Sequence, residues 1–228
     1  MKYKTLLFDL DDTILDFGAA EDYALAKLFE DMGVELTDDI KDYYLKINKQ
    51  AWKDYEDGKI SRQEVTDNRF SNLFSTLGIE VDGPKMDNKY RSHLAENPQF
   101  LGKSLEVLEK LSQDDYKMYI LTNGVSVTQH KRLKDADLYR FFEDVIVSEE
   151  TGYQKPMVEF FDCAFERIEN FNPDTTLMIG DTLSSDIKGG NNAGVDTVWL
   201  NNKDAENLTD AVPTYEINDI EKIYEILK

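Results

Sequence analysis

Cysteine is nearly absent from this chain: Cys163 is the only one among 228 residues. A disulfide framework within the chain is therefore excluded. With Phe161, Ala164 and Phe165 around it in a helical pattern, the thiol is expected to pack as a small apolar group rather than act as a nucleophile. Histidine occurs only twice, as His93 and His130, without the carboxylate or cysteine spacing of a zinc site, and both are expected on helix surfaces. Positive charge is scarce, 26 basic against 46 acidic residues for a net charge of −20, and no basic run offsets it. Nucleic-acid polymers and anionic membranes are thus excluded as partners, and any phosphate site needs its own local cation. No apolar run reaches the roughly 18 residues of a membrane span, and the N-terminus lacks a signal-peptide pattern, so a soluble, cytoplasmic protein is expected. What is present is enough apolar material, 41% hydrophobic and 11% aromatic, for one large domain or a core with a modest second domain.

The segment Tyr3-Lys4-Thr5-Leu6-Leu7-Phe8 reads as a buried strand, and it runs directly into Asp9-Leu10-Asp11-Asp12-Thr13. From Ala19 to about Leu94 the pattern is helical. One stripe (Ala20, Ala24, Leu25, Leu28, Phe29, Met32) ends at Gly33, and a second begins after the cap Thr37 and runs through Tyr44, Ile47, Ala51 and Tyr55. A third opens on the capping box Ser61-Arg62-Gln63-Glu64, and a short fourth spans Met86 to Leu94. From Ser104 onward helices alternate with strands at Tyr116–Leu121, Asp144–Val147, Thr176–Ile179 and Val195–Leu200. A last strand at Thr214–Ile217 precedes a closing helix capped by Asn218. This rhythm predicts an α/β fold, a Rossmann-like parallel sheet core (residues 1–16 and 95–228) with an inserted all-helical cap domain (residues 17–94).

In open parallel sheets, ligands bind beyond the carboxyl ends of the strands. Those ends carry Asp9-Leu10-Asp11, then Thr122-Asn123-Gly124, then Ser148-Glu149-Glu150 with Lys155-Pro156 further on, then Gly180-Asp181-Thr182 with Ser185-Asp186. Asp9 and Asp11 lie at i and i+2, so both face one spot and repel unless a cation or a proton intervenes. A solvated acidic turn is the alternative for these two residues alone. The full set of residue types fits phosphoryl transfer to an aspartate. Asp9 attacks phosphorus, Asp11 protonates the leaving oxygen and then activates water, and Thr122, Asn123 and Lys155 hold the phosphate. Asp181 binds Mg²⁺, and Asp186 steadies Lys155 or a metal-bound water. Thr13 is expected to tie down this loop by hydrogen bonds, and Glu149-Glu150 to form a solvated turn.

These segments, Asp9-x-Asp11-Asp12-Thr13, Thr122-Asn123, Lys155-Pro156 and Gly180-Asp181 with Ser185-Asp186, resemble the haloacid dehalogenase-like hydrolase superfamily, its helical-cap subgroup in particular. The resemblance covers essentially the whole chain. It implies Asp9 as nucleophile, Asp11 as acid/base, and Asp9, the Asp11 main-chain carbonyl and Asp181 as magnesium ligands, with a mobile cap. An aspartate at position 11 implies phosphatase or phosphomutase chemistry rather than dehalogenation. The stretch Asn48-Lys49-Gln50-Ala51-Trp52 through Tyr55, with Arg69-Phe70, Asp16-Phe17 and Thr151-Gly152, is similar to house-cleaning pyrimidine 5′-nucleotidases. That similarity implies a nucleoside monophosphate as the small-molecule phosphate ester, with Asn48, Trp52, Tyr55 and Arg69 as substrate contacts; Tyr55 equally continues a packing stripe. Sugar-phosphate or phosphoglycolate phosphatases and phosphomutases share every core residue, and a phosphate-ester-binding regulator without turnover is a reading from a different class. Oligomeric state is not legible.

Overall fold

The computed structural model describes residues 2–96 and 98–227. Strand β1 (Thr5–Phe8) is fully buried, as expected of an apolar run with a neighbour on either side. The chain then leaves the sheet for four helices, α1 (Phe17–Met32), α2 (Asp38–Glu56), α3 (Arg62–Thr76) and α4 (Gly83–Leu94). It returns through α5 (Ser104–Leu111), β2 (Lys117–Thr122), α6 (Ser126–Asp135), β3 (Asp144–Val147), α7 (Ser148–Thr151) and α8 (Val158–Glu166). The remaining elements are β4 (Thr176–Gly180), α9 (Lys188–Ala193), β5 (Asp196–Leu200), β6 (Tyr215–Ile217) and α10 (Ile223–Ile226). The chain divides into two compact units, a sheet unit of Met1–Phe17 with Pro98–Lys228 and a helical unit of Gly18–Asn97. Among the described residues no helix is long and apolar enough to cross a membrane.

The sheet unit is Rossmann-like. Its six strands run in the order β3-β2-β1-β4-β5-β6 and all pairings are parallel. Alternate residues of β1 serve opposite faces. Leu6 and Phe8 join Val107 and Leu108 of α5 and Leu133 of α6, while Leu7 joins Phe160, Phe161 and Ala164 of α8. Strand order reverses at β1, where β2 lies on one side and β4 on the other, and the crevice beyond that reversal is where an open parallel sheet offers a ligand site.

Several local expectations need correction. Asn218 does not cap the closing helix: Asp219 does, accepting a bond from the Glu221 amide, while Asn218 Oδ1 accepts from Lys222 Nζ. The helix predicted from Ser185 starts as a π-helical turn over Leu183–Ile187, held by Ile187 N–H donating to Thr182 O at 3.4 Å, before α9 begins. Glu149 and Glu150 do not form a free turn. They lie in α7, where Glu149 accepts from the Ser126 amide at 2.7 Å and Glu150 from the Ser126 hydroxyl at 2.6 Å. They thereby supply the acidic partner that the N-terminus of α6 lacks in its own cap residue Val125. Thr13 is fully buried, but its hydroxyl has no hydrogen-bond partner among the described residues, so the expected tether is not made. The turn is closed instead by main-chain bonds from Ile14 and Leu15 to Leu10 O.

The helical unit follows from its caps and its aromatic core. Thr37 accepts from the Ile40 amide, Ser61 and Glu64 form a reciprocal capping box, and Asp82 accepts from the Lys85 amide. Phe29 stacks on Phe74 with centroids 5.2 Å apart, and Tyr44 stacks on Phe70 at 5.3 Å. A buried polar network runs through this core. Arg69 donates to Asp87 Oδ1 from Nε at 2.8 Å and from Nη2 at 2.5 Å, and to Asn48 Oδ1 from Nη1 at 3.1 Å. Asn48 Nδ2 and the Tyr90 hydroxyl both donate to Glu21 Oε1, at 2.9 and 3.3 Å. Arg91 Nε closes the far end on Asp87 Oδ2 at 2.6 Å.

Burial pushes the Glu21 carboxyl up to about 7, against the opposing pull of Arg69, Tyr90 and Asn48. A carboxyl raised in the folded state contributes stability that is complete below its unfolded value and is lost as pH rises through the folded value. Glu21→Gln removes this titration, so the variant should gain on the wild type by about 3 kcal/mol between pH 4.5 and pH 8, as measured by urea unfolding of the two proteins. A stability difference independent of pH would show that Glu21 is not held in this state.

Candidate active site

The carboxyl ends of β1, β2 and β4 converge on the Lys155 side chain. Asp9 follows β1 directly, and its amide donates to Ile179 O at 2.9 Å, continuing the ladder to β4. Thr122 is the last residue of β2, and Asp181 follows β4. Lys155, only 2% exposed, donates to Asp9 Oδ1 at 2.6 Å, Asp186 Oδ1 at 2.7 Å and Leu121 O at 2.7 Å. An ammonium has three donors, so each one is satisfied. Asn123 fixes the lysine main chain reciprocally. Its Nδ2 donates to Lys155 O and its Oδ1 accepts from the Lys155 amide, both at 2.9 Å. Asp186 completes the arrangement by accepting from the Thr182 amide at 3.0 Å. It lies where a Cβ on Gly180 would come within 2.3 Å of its carboxyl carbon, which is why the residue ending β4 has no side chain.

Charge is unbalanced here. Carboxylate oxygens of Asp9, Asp181 and Asp186 lie within 4.8 Å of one another, and Lys155 is the cation bonded among them. Burial raises the Asp9 carboxyl well above the usual carboxylate range, Lys155 opposes this, and Asp186, Asp181 and Asp11 push it further up. Asp181 is pushed up to about 8 by burial and by Asp186 and Asp12. Burial would lower Lys155, but Asp186 and Asp9 outweigh it and hold the ammonium charged. With Asp9, Asp181 and Asp186 all ionised, three carboxylates against one ammonium leave a deficit of two positive charges, in an all-oxygen donor set. The residues present therefore fit a hard divalent cation.

Asp11 has separate partners. Its Oδ2 accepts from Gln129 Nε2 at 2.7 Å, and its Oδ1 accepts from Arg132 Nη1. Gln129 also donates to Thr122 Oγ1 at 2.9 Å, which accepts a further bond from the Gly124 amide at 3.2 Å. Arg132 is fully buried, with the Phe17 ring 5.8 Å away. Asp12 takes a left-handed φ of 54°, a conformation aspartate tolerates, and accepts from the Phe17 amide and from Lys203 Nζ, both at 3.0 Å. Gln129 and Arg132 were absent from the sequence-based set. The available signal was a helix straight after Thr122 with polar side chains three residues apart on the face that also carries Leu133.

The sheet-unit candidates Asp9, Thr122, Asn123, Lys155, Asp181 and Asp186 are thus brought together, and Asp11 joins them through Gln129 and Thr122. The helical-unit candidates form two groups. Asn48 and Arg69 are buried and bonded to each other within the polar network, whereas half-buried Trp52 meets buried Tyr55 edge to face at 5.8 Å. The face between α2 and α3 carries a cleft of about 290 Å³ lined by Ile47, Gln50, Asp54, Glu64, Asn68 and Arg69 among others. The two histidines lie on helices as expected but are half-buried, His93 beside Asp31 and Glu96, and His130 stacked on Tyr139 and bonded to Glu150.

Replacing Lys155 by Met leaves buried carboxylates without their ammonium. Breaking such a pair should cost about 3–5 kcal/mol in urea unfolding with EDTA at pH 8. A loss below about 1 kcal/mol would mean that the lysine is not the element holding the strand ends together.

A family model for haloacid dehalogenase-like hydrolases matches residues 6–200. The HAD-hydrolase YfnB of Bacillus subtilis is 50% identical over 226 residues, covering 99% of this chain and 96% of that protein. Its magnesium-bound crystal structure superposes with a TM-score of 0.95 at 49% identity, covering 100% of both chains. Pyrimidine 5′-nucleotidase PynA of Streptococcus pneumoniae is 45% identical over 227 residues, 100% of this chain and 96% of that protein. Pyrimidine 5′-nucleotidase YjjG of Escherichia coli is 32% identical over 228 residues, 100% of this chain and 99% of that protein.

Proposed function

This chain belongs to the haloacid dehalogenase-like hydrolases, and we propose that it is a magnesium-dependent phosphatase removing phosphate from nucleoside 5′-monophosphates, pyrimidine nucleotides preferred. The observation that carries the reading is the difference between the two carboxylates of the first strand end. Asp9 is buried against Lys155, as suits a nucleophile aimed at an anion, whereas Asp11 is half-buried and held by Gln129 and Arg132, free of that pair. Two carboxylates in unlike surroundings take unlike roles.

Asp9 attacks phosphorus, the bond from phosphorus to the ester oxygen breaks, and Asp11 delivers a proton to the departing alkoxide. In the second half Asp11 takes a proton from water, the water oxygen attacks phosphorus, and the bond to Asp9 breaks to release inorganic phosphate. Lys155 offsets charge on the transferring group and keeps Asp9 and Asp186 in register, while the Thr122 hydroxyl offers a donor to a phosphoryl oxygen. Asp9, the Asp11 main-chain carbonyl and Asp181 would hold Mg²⁺, which when bound neutralises phosphoryl oxygens. Asp186, already bonded to Lys155 and the Thr182 amide, supports that set. Base preference rests on the two nucleotidase relatives and on Trp52. Of the four helical-unit candidates, Asn48 and Arg69 have hydrogen bonds committed inside the helical unit and Tyr55 is buried, so the half-buried indole of Trp52 is the one with ring surface to stack on a planar base.

Initial rates on pyrimidine and purine nucleoside monophosphates, ribose 5-phosphate and phosphoglycolate test this reading. The highest kcat/KM is expected on a pyrimidine nucleotide, with turnover lost in EDTA and restored by Mg²⁺. A sugar phosphate or phosphoglycolate preferred over every nucleotide would overturn the substrate assignment, and full activity in EDTA the metal assignment. Asp9→Asn should lower kcat by about a thousandfold or more with the melting temperature retained. Trp52→Ala should narrow the preference for pyrimidine over purine substrates; an unchanged ranking removes Trp52 from base recognition.

A further inference from the structure

Gln129 is 2% exposed and connects three groups, and the chemistry of those groups settles which way its amide points. Arg132 has only donors, so the atom it meets at 3.1 Å must be the amide oxygen. The amide nitrogen is then directed to Asp11 Oδ2 at 2.7 Å and Thr122 Oγ1 at 2.9 Å, using both of its protons. Thr122 Oγ1 accepts this bond and another from the Gly124 amide. A hydroxyl accepts two bonds and donates one, so with both acceptor positions filled the Thr122 proton is left to donate. That polarity suits an anionic phosphate oxygen. On its other side the same amide, with Arg132, supplies donors to both Asp11 oxygens. Room for the amide comes from Gly124, where a Cβ would fall 2.5 Å from Gln129 Nε2.

We propose that Gln129 is a positioning residue that couples the phosphate-holding hydroxyl of Thr122 to the acid/base carboxylate of Asp11. The coupling rests on the phosphatase reading above and goes beyond it by naming the residue that joins its two halves. One side chain sets the donor direction of Thr122 and the place of Asp11, so correct seating of the phosphoryl group and proton delivery to the ester oxygen share a single support. Arg132 keeps the support from flipping by requiring an acceptor beside it.

The test compares Gln129→Leu with wild type on two esters and one inhibitor. The quantity to read is kcat/KM, because it reports the transfer to Asp9 and excludes the later hydrolysis common to all esters. An alkyl phosphate, whichever nucleotide or sugar phosphate the wild type cleaves fastest, needs a proton on its leaving oxygen; p-nitrophenyl phosphate does not. General acid catalysis supplies ~10²–10⁴-fold, so displacement of Asp11 should cost the alkyl ester about tenfold or more beyond the loss on the aryl ester. Inhibition by inorganic phosphate should weaken in parallel, since Thr122 loses its set direction. Gly124→Ala should reproduce both changes by displacing the Gln129 amide while Asp11, Thr122 and Gln129 keep their own side chains, and it carries the test if the leucine variant fails to fold. Equal losses on the two esters, or unchanged phosphate inhibition, would overturn the coupling while leaving the phosphatase reading intact. A wild type that cleaves neither ester would overturn that reading and this one with it.

Discussion

The convergence of Asp9, Asp186 and the end of β2 in the sheet unit depends on the bonds of one ammonium. Lys155 reaches from the segment before α8 to the end of β1 at Asp9, the end of β2 at Leu121 O and the loop after β4 at Asp186. A lysine buried this deeply needs acceptors on all three protons, and buried carboxylates that stay ionised need a cation among them. Each therefore requires the other. Asn123 holds the lysine main chain from β2, so the three strand ends and the lysine loop form one cross-linked unit before any ligand arrives. Preorganisation of this kind lets fixed charges act on a transferring phosphoryl group without rearranging at the moment of reaction.

The helical unit contains a second buried ionic network, and the contrast between the two separates structure from chemistry. Around Arg69 the charges close when Glu21 is ionised: Arg69 and Arg91 share Asp87, and the Glu21 carboxyl, raised to about 7, is the second anion and accepts from Asn48 and Tyr90. Around Lys155 the charges do not close when Asp9, Asp181 and Asp186 are all ionised, since they outnumber the ammonium. Buried polar groups that balance one another specify packing, whereas a buried set left with one sign of charge is arranged for something that arrives from outside.

The sheet-unit constellation was legible in the sequence because its logic is local. Parallel strands are apolar runs, ligands collect beyond their carboxyl ends, and the polar residues directly after each run can be read off one strand at a time. Asp9, Thr122 and Asp181 needed no more than that. Gln129 and Arg132 were not legible in the same way, because their meaning comes from Asp11, more than a hundred positions earlier, lying against the inner face of α6. Asn48 and Arg69 illustrate the opposite difficulty. Polar residues on helices are ordinarily placed outward, yet Asn48 lies on the buried stripe of α2 with Tyr44, and Arg69 is surrounded by Asp87, Tyr90 and Phe70. Only the assembled helical core reveals such a stripe, since a buried ion pair leaves no periodic trace of its own. The π-helical turn at Leu183–Ile187 was hidden for a similar reason, being held by the local bonds of Thr182 with Asp186 and Ile187.

Chemical trapping tests most directly whether Asp9 supplies the oxygen of a covalent phosphoryl link, as proposed. Borohydride added during turnover reduces an aspartyl phosphate to homoserine, which peptide mapping by mass spectrometry locates. The account predicts conversion at position 9 that appears only in the presence of substrate and Mg²⁺. Substrate-dependent modification at another carboxylate, with Asp9 unaltered, would contradict it.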